Sequence, residues 1–295
     1  MLLFAMTAAG ALTDESPTGV YSREYSSHAT QLRRDLLAPY DKVVAPSSTA
    51  RSGYSKAGTD VSMQLRFFKV ESVKASAGQM RLKVWMRLSW ADERLSWDPA
   101  LYGNVSYTTF QAANLANPEW TEIWLPDVQP YNAMEGIIHT LDPAIAQVHA
   151  NGTVHWSRPG MLDIMCKFSG LVAFPFDKLK CAVEFGGWGM SGGQQGLELM
   201  GRGYDFSGLE GAAGTSYQEY TIERVDCWIE QNTEACCPGE SWPVISYTVH
   251  LGRASYYYVR RSRGASNRRG ETRVSPRLSG RSPVRARRAP RRSWW

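Results

Sequence analysis

The sequence predicts an all-β fold, an antiparallel β-sandwich preceded by one short helix. Three observations predict it. Apolar and polar residues alternate over three long runs. Glycine- and proline-containing loops separate those runs. Helical spacing occurs near the start and nowhere else. The chain is 43% apolar and 21% charged over 295 residues, which supports a core and excludes wholesale disorder. No 18 consecutive apolar residues occur, so no transmembrane helix is expected.

The elements follow in order. Ser27 is placed to cap a helix in which Leu32, Leu36, Leu37 and Tyr40 recur at helical spacing, and Ala45-Pro46-Ser47-Ser48 breaks it. Val61, Met63, Leu65 and Phe67 then alternate with Ser62, Gln64 and Arg66. Leu82, Val84, Met86, Leu88 and Trp90 alternate with Lys83, Trp85, Arg87 and Ser89. Ile245, Tyr247, Val249 and Leu251 alternate with Ser246, Thr248 and His250. Each run buries one face. Trp85 is the anomaly, an indole on a polar face between Lys83 and Arg87. Either a loop covers it or that face meets a ligand or partner.

The two ends differ from the body. Residues 1–13 form a short apolar run, and Ala9-Gly10-Ala11 fits a signal-peptidase pattern, although no basic residue precedes it. A signal peptide over 1–13 is expected, with a buried terminus as the alternative. Residues 259–295 hold 13 Arg and one Glu, a charge of +12, so the net +5 leaves −7 for the body. This tail lacks the aliphatic surface to offset its ordering entropy and reads as disordered. An acidic body argues against nucleic acid as a partner. One domain is expected over 27–258. Sequons at Asn104 and Asn151 fit a secreted, glycosylated chain.

Five cysteines occur, at 166, 181, 227, 236 and 237. A Cys166–Cys181 disulfide would close a loop holding Phe174-Pro175-Phe176-Asp177 and stabilise it by about 3 kcal/mol. Cys236 and Cys237 are adjacent. Neighbouring Cα atoms lie about 3.8 Å apart, below the usual disulfide span, so a strained bond competes with two free thiols. No Cys-x-x-Cys or nearby His cluster supports a metal. Cys227 shares a face with Val225 and Ile229 and reads as a buried free thiol.

Other motifs give less. Gly187-Trp188-Gly189-Met190-Ser191-Gly192 spells a dinucleotide fingerprint, but Gly193-Gln194-Gln195-Gly196 makes a poor helix to follow it. Trp90, Trp97 and Trp124 read as core, and Asp92 and Asp127 as turn-holding acids. No catalytic constellation is evident, so an enzyme is not expected, and no cofactor is implied.

Five segments, taken together, resemble one family. They are Trp85-Met86-Arg87-Leu88-Ser89-Trp90-Ala91-Asp92, Trp124-Leu125-Pro126-Asp127-Val128 with Tyr131-Asn132, the Cys166 to Cys181 segment, Gly186-Gly187-Trp188, and Cys236-Cys237-Pro238 with Trp242-Pro243. Their order is that of the extracellular ligand-binding domain of Cys-loop receptors, the pentameric ligand-gated ion channels. The closest resemblance is to nicotinic acetylcholine receptor α-type subunits. It implies a ten-strand immunoglobulin-like sandwich, disulfides at Cys166–Cys181 and Cys236–Cys237, and a pentamer of homologous subunits. The implied ligand is a small cationic amine, acetylcholine-like, held in an aromatic cage where subunits meet.

That resemblance assigns Tyr131, Trp188, Met190, Glu234, Cys236, Cys237 and Trp242 to the principal face. It assigns Trp85, Arg87, His155 and Ser157 to the complementary face of a neighbouring subunit. The chain departs from the family in four places. Its Cys loop is one residue longer. Glu234 stands for one loop C Tyr, Trp242 for the other, and Met190 for a loop B aromatic. Glu234 either pairs with the cation or is a solvated loop residue. The membrane helix that follows the last strand in the family does not follow Tyr258. The family places this domain on the extracellular face of the plasma membrane; this chain is expected to be secreted or incomplete. The alternative is a soluble binding-protein-like or accessory structural subunit with a degraded site.

Overall fold

The computed structural model describes residues 23–46, 58–113, 118–134, 141–168, 173–206, 219–256 and 258–259. The expected leader over 1–13 and the tail from Arg260 onward lie outside the described residues. The chain divides into two units, Met1–Ala254 and Ser255–Trp295. All ten strands belong to the first; in the second, residues 255–256 and 258–259 are helical.

The first unit opens with α1 (Arg23–Leu37). Ser27 lies inside this helix rather than capping it, and Tyr40 lies beyond its end. Pro39 accounts for the stop, because the residue before a proline is pushed out of the helical region. Leu32 and Leu36 are buried. Arg33 anchors the exposed side through Glu122, whose two carboxylate oxygens accept at 2.7 and 2.8 Å.

The strands are β1 (Thr59–Lys74), β2 (Gln79–Ser96), β3 (Tyr107–Phe110), β4 (Gln129–Pro130), β5 (Ala146–His149), β6 (Asn151–Met165), β7 (Lys178–Gly186), β8 (Gln195–Phe206), β9 (Tyr220–Asn232) and β10 (Trp242–Arg253). They form a six-stranded sheet, β3-β5-β6-β2-β1-β8, and a four-stranded sheet, β4-β7-β10-β9. The three alternating runs fall within β1, β2 and β10, with their apolar members buried. One pairing departs from the antiparallel expectation: β1 and β8 run parallel. Alternation reports which face is buried and carries no information on strand direction.

The sheets meet through aromatic edges. Tyr247 of β10 stands edge-on to Phe67 of β1 across the sheets at 6.2 Å, and to Phe185 of β7 within its own sheet at 6.0 Å between ring centres. Trp90 and Trp124 cross at 5.9 Å in the same core. The Cys166–Cys181 disulfide ties the end of β6 to β7, and so joins the two sheets covalently.

Asp92 and Asp127 both hold backbone, as their residue type suggests. Asp92 is fully buried, accepts from the Arg94 guanidinium at 2.8 Å, and takes the Tyr40 hydroxyl at 2.6 Å. Burial, with the Asp92 carboxylate adding to it, holds the Tyr40 phenol well above its usual range. Asn104 and Asn151, the sequon residues, are both exposed.

Candidate functional site

Four chain segments converge at one end of the four-stranded sheet. Tyr131 leaves β4. Trp188 leaves β7. Glu234, Cys236 and Cys237 form the loop between β9 and β10, and Trp242 opens β10. Together with Gly187, Asn232 and Val244 they line a cleft of about 430 Å³.

Local structure fixes each wall. The Tyr131 backbone N–H donates to the Glu184 carbonyl at 2.8 Å, which docks β4 on β7. Its hydroxyl donates to the Gly187 carbonyl at 2.7 Å. Gly186 is required beneath it, because a Cβ there would stand 2.1 Å from the Tyr131 hydroxyl. Tyr131 and Trp188 then meet edge-to-face at 6.4 Å. Trp188 is 67% exposed, so its indole is open to whatever enters the cleft. The N–H of the Trp242 indole is buried, with no hydrogen-bond partner among the described residues.

The cleft is electronegative. Burial raises the Tyr131 phenol to about 12, and the carboxylates of Asp127, Glu234 and Glu184 add to the rise. The loop that carries Glu234 is a tight turn, in which the Cys237 N–H donates to the Glu234 carbonyl at 3.1 Å.

Of the principal-face residues expected from sequence, six line this cleft and Met190 does not. Met190 packs in a separate pocket of about 200 Å³ with Lys42, Pro118, Ile123, Trp124 and Leu125. Its backbone N–H donates to Asp127. No bond joins Cys236 and Cys237 here, and their sulfurs stand 2.7 Å apart, short of a bond but closer than a non-bonded contact. Sequence reasoning missed Asn232 and Val244. Asn232 reaches the wall because it pairs with Trp242 across the β9–β10 ladder, a register not readable from composition.

The complementary-face residues form a second group, on the outward face of the six-stranded sheet. Trp85 and Arg87 lie on β2, His155 and Ser157 on β6, and Arg87 pairs directly with Ser157. The Trp85 indole N–H donates to the Ser157 hydroxyl. The Arg87 guanidinium sits 4.3 Å from the centre of the Trp85 ring, and Phe68 stacks on it at 6.2 Å. His155 meets His149 edge-on at 5.3 Å, and partial burial with the neighbouring imidazole lowers its pKa. None of these four lines the cleft of the same chain.

The segment from Gly187 to Gly192 opens no helix; turns lead from it into β8. The dinucleotide reading falls with that. Among the described residues no helix is long and apolar enough to cross a membrane.

Residues 29–255 match the family described as the neurotransmitter-gated ion-channel ligand binding domain. The chain belongs to that family. The ligand-binding domain is 34% identical over 252 residues to the Caenorhabditis elegans acetylcholine receptor subunit alpha-type unc-63, covering 78% of this chain and 47% of the relative. It is 28% identical over 228 residues to the C. elegans subunit alpha-type acr-16, covering 77% and 42%. The Xenopus laevis acetylcholine receptor subunit alpha-1-B is 25% identical over 234 residues, covering 79% and 47%. The chain spans less than half the length of these relatives, which are receptor subunits rather than enzymes. As a nicotinic-receptor-like ligand-binding domain it carries the family's sandwich and its Cys-loop disulfide, Cys166–Cys181.

Proposed function

We propose that this domain binds a small cationic amine between the rings of Tyr131, Trp188 and Trp242. One observation carries the reading: these three rings and the Glu234 carboxylate share a single cleft of about 430 Å³. Aromatic faces attract a desolvated cation by about 2 kcal/mol or more. The surrounding carboxylates add a field of the right sign. In this reading homologous subunits assemble as a pentamer on the extracellular face of a membrane. Each neighbour then brings Trp85, Arg87, His155 and Ser157 to the open side of the cleft. Nucleic acid has no part in it. Asn104 and Asn151 would carry glycans.

Titrating the purified chain with choline and with ethanolamine while following tryptophan fluorescence tests the proposal. Replacing Trp188 with Ala should weaken binding by about 2 kcal/mol, roughly 30-fold. A second reading is an accessory subunit with a degraded site. The displacement of Met190 from the cleft favours it. Binding that is absent, or indifferent to Trp188→Ala, would decide for that reading.

A further inference from the structure

The cleft has three aromatic walls and one acidic one. Glu234 is the acid in its lining, and among the described residues its carboxylate has no cationic partner. Of the two other acids whose charge reaches Tyr131, neither Asp127 nor Glu184 lines the cleft, and Asp127 is spent on backbone: one of its oxygens takes the N–H groups of Trp188, Gly189 and Met190. Glu234 is exposed on the β9–β10 loop, whose turn fixes its backbone, and its side chain lines the cleft. Its negative charge is felt across the cleft at Tyr131.

These two kinds of wall select differently. An aromatic face attracts any ammonium through its quadrupole, whatever the number of methyl groups. A carboxylate distinguishes them. An ammonium that keeps an N–H donates a charge-assisted hydrogen bond at about 2.7–2.9 Å, roughly twice as strong as a neutral one. A quaternary ammonium has no such proton, and its methyl shell holds the oxygen farther off, where attraction falls with distance. A cage of rings alone favours the methylated cation. A cage in which one ring gives way to an acid favours the cation with protons.

We infer that Glu234 tunes this cleft for a protonated amine that retains N–H groups, primary amines above all, over a quaternary ammonium. The inference rests on the proposed amine-binding role of the cleft. The ligand class is then a small primary-amine transmitter or polyamine end rather than a choline ester.

Ethanolamine and choline form the matched pair for the test, since they differ only in three N-methyl groups. Each is titrated against the full chain, its Glu234→Gln variant and its Trp188→Ala variant, with tryptophan fluorescence and calorimetry as readouts. Glu234 is exposed, so the variant keeps the fold. The expected result is ethanolamine bound roughly tenfold tighter than choline by the unaltered chain. Glu234→Gln should lower ethanolamine affinity roughly tenfold and choline affinity about threefold or less, because only the former loses a charge-assisted hydrogen bond. Choline bound tighter by the unaltered chain, or equal losses for both ligands in Glu234→Gln, overturns the inference and leaves the amine site standing. Failure of both ligands to bind, or indifference to Trp188→Ala, overturns the amine site itself and this inference with it.

Discussion

One carboxylate oxygen of Asp127 accepts the backbone N–H groups of Trp188, Gly189 and Met190, at 2.8, 2.6 and 3.2 Å. Asp127 is in turn clamped by Gln195, which accepts from its N–H and donates to its carbonyl, both at 2.8 Å. A buried acid therefore fixes the loop that presents an exposed indole. Removing it leaves three donors without their acceptor. Asp127→Ala should cost about 2–4 kcal/mol in urea unfolding. It should also weaken amine binding, although Asp127 does not line the cleft. Asp127→Asn keeps an acceptor and loses the charge, so its cost should be smaller. A variant with full stability and full affinity would show that the loop holds itself.

Much of this was legible in sequence, and the limits have physical causes. The faces of β1, β2 and β10 follow from period-two alternation, because burial of one sheet face selects it directly. Tyr131, Trp188, Trp242 and Glu234 could be grouped only by their likeness to a family, since 111 residues of chain separate the first from the last. The placement of Met190 was not legible. Its backbone is set by the hydrogen bond that its own N–H donates to Asp127, 63 residues away. Nor was the parallel β1–β8 pairing, where Gly201 and Gly203 take φ of +61° and +79° and shift the register between Met63 and Leu65. The helix start was misplaced because Ser27 has the side chain of a cap and the surroundings of a helix interior.

Cys227 should behave as a shielded thiol. Burial raises it to about 11 from an ordinary 9.0, and the Tyr247 hydroxyl lies against it. Gly203 leaves it room, since a Cβ there would stand 2.7 Å from the sulfur. Two units less acidity means roughly 100-fold less thiolate, so alkylation at pH 8 should be slower than for a free thiol by about that factor. The sign for stability follows. The native thiol holds its proton longer, so its contribution is present in full below about pH 9 and is lost as pH rises through about 11. Peptide mapping after timed alkylation separates Cys227 from Cys236 and Cys237. Cys227 is half-buried rather than fully buried as expected, and labelling as fast as at a free thiol would contradict even that shielding.

Arg253 and Asp177 form a two-pronged buried pair, with contacts of 2.7 and 3.0 Å. The two side chains are 6% and 0% exposed, so neither charge is solvated alone. The pair fastens the end of β10 to the residue preceding β7. Arg253 also pairs with the half-exposed Glu219, so Asp177→Asn leaves the guanidinium one carboxylate and should destabilise by about 1–3 kcal/mol. Arg253→Met strands the fully buried Asp177 carboxylate and should cost more, about 3–5 kcal/mol. The double variant should recover part of the loss, because no buried charge is stranded. Thermal unfolding of the three variants measures the coupling, and strictly additive losses would argue that the pair acts only through separate contacts.

The role proposed for Trp85 depends on assembly, and its surroundings explain why. Its ring faces the Arg87 guanidinium at 4.3 Å and the Arg66 guanidinium at 5.8 Å, and its N–H is taken by Ser157. It lies on the other sheet from the cleft of its own chain. In a monomeric preparation, Trp85→Ala should therefore leave amine affinity unchanged. In an assembled preparation the ring would close a neighbour's cleft, and its loss should weaken binding by roughly tenfold. In that proposed assembly Arg87 would oppose the ligand, because a guanidinium 4.3 Å from the Trp85 ring centre repels an incoming ammonium. Arg87→Gln should then raise affinity about threefold in the assembly, the share of an exposed cation–π contact of roughly 0.5–1 kcal/mol. Size-exclusion fractions of defined mass, titrated side by side, provide the comparison. A loss of affinity in monomeric Trp85→Ala would place the indole at its own chain's cleft and remove the reason for invoking a neighbour.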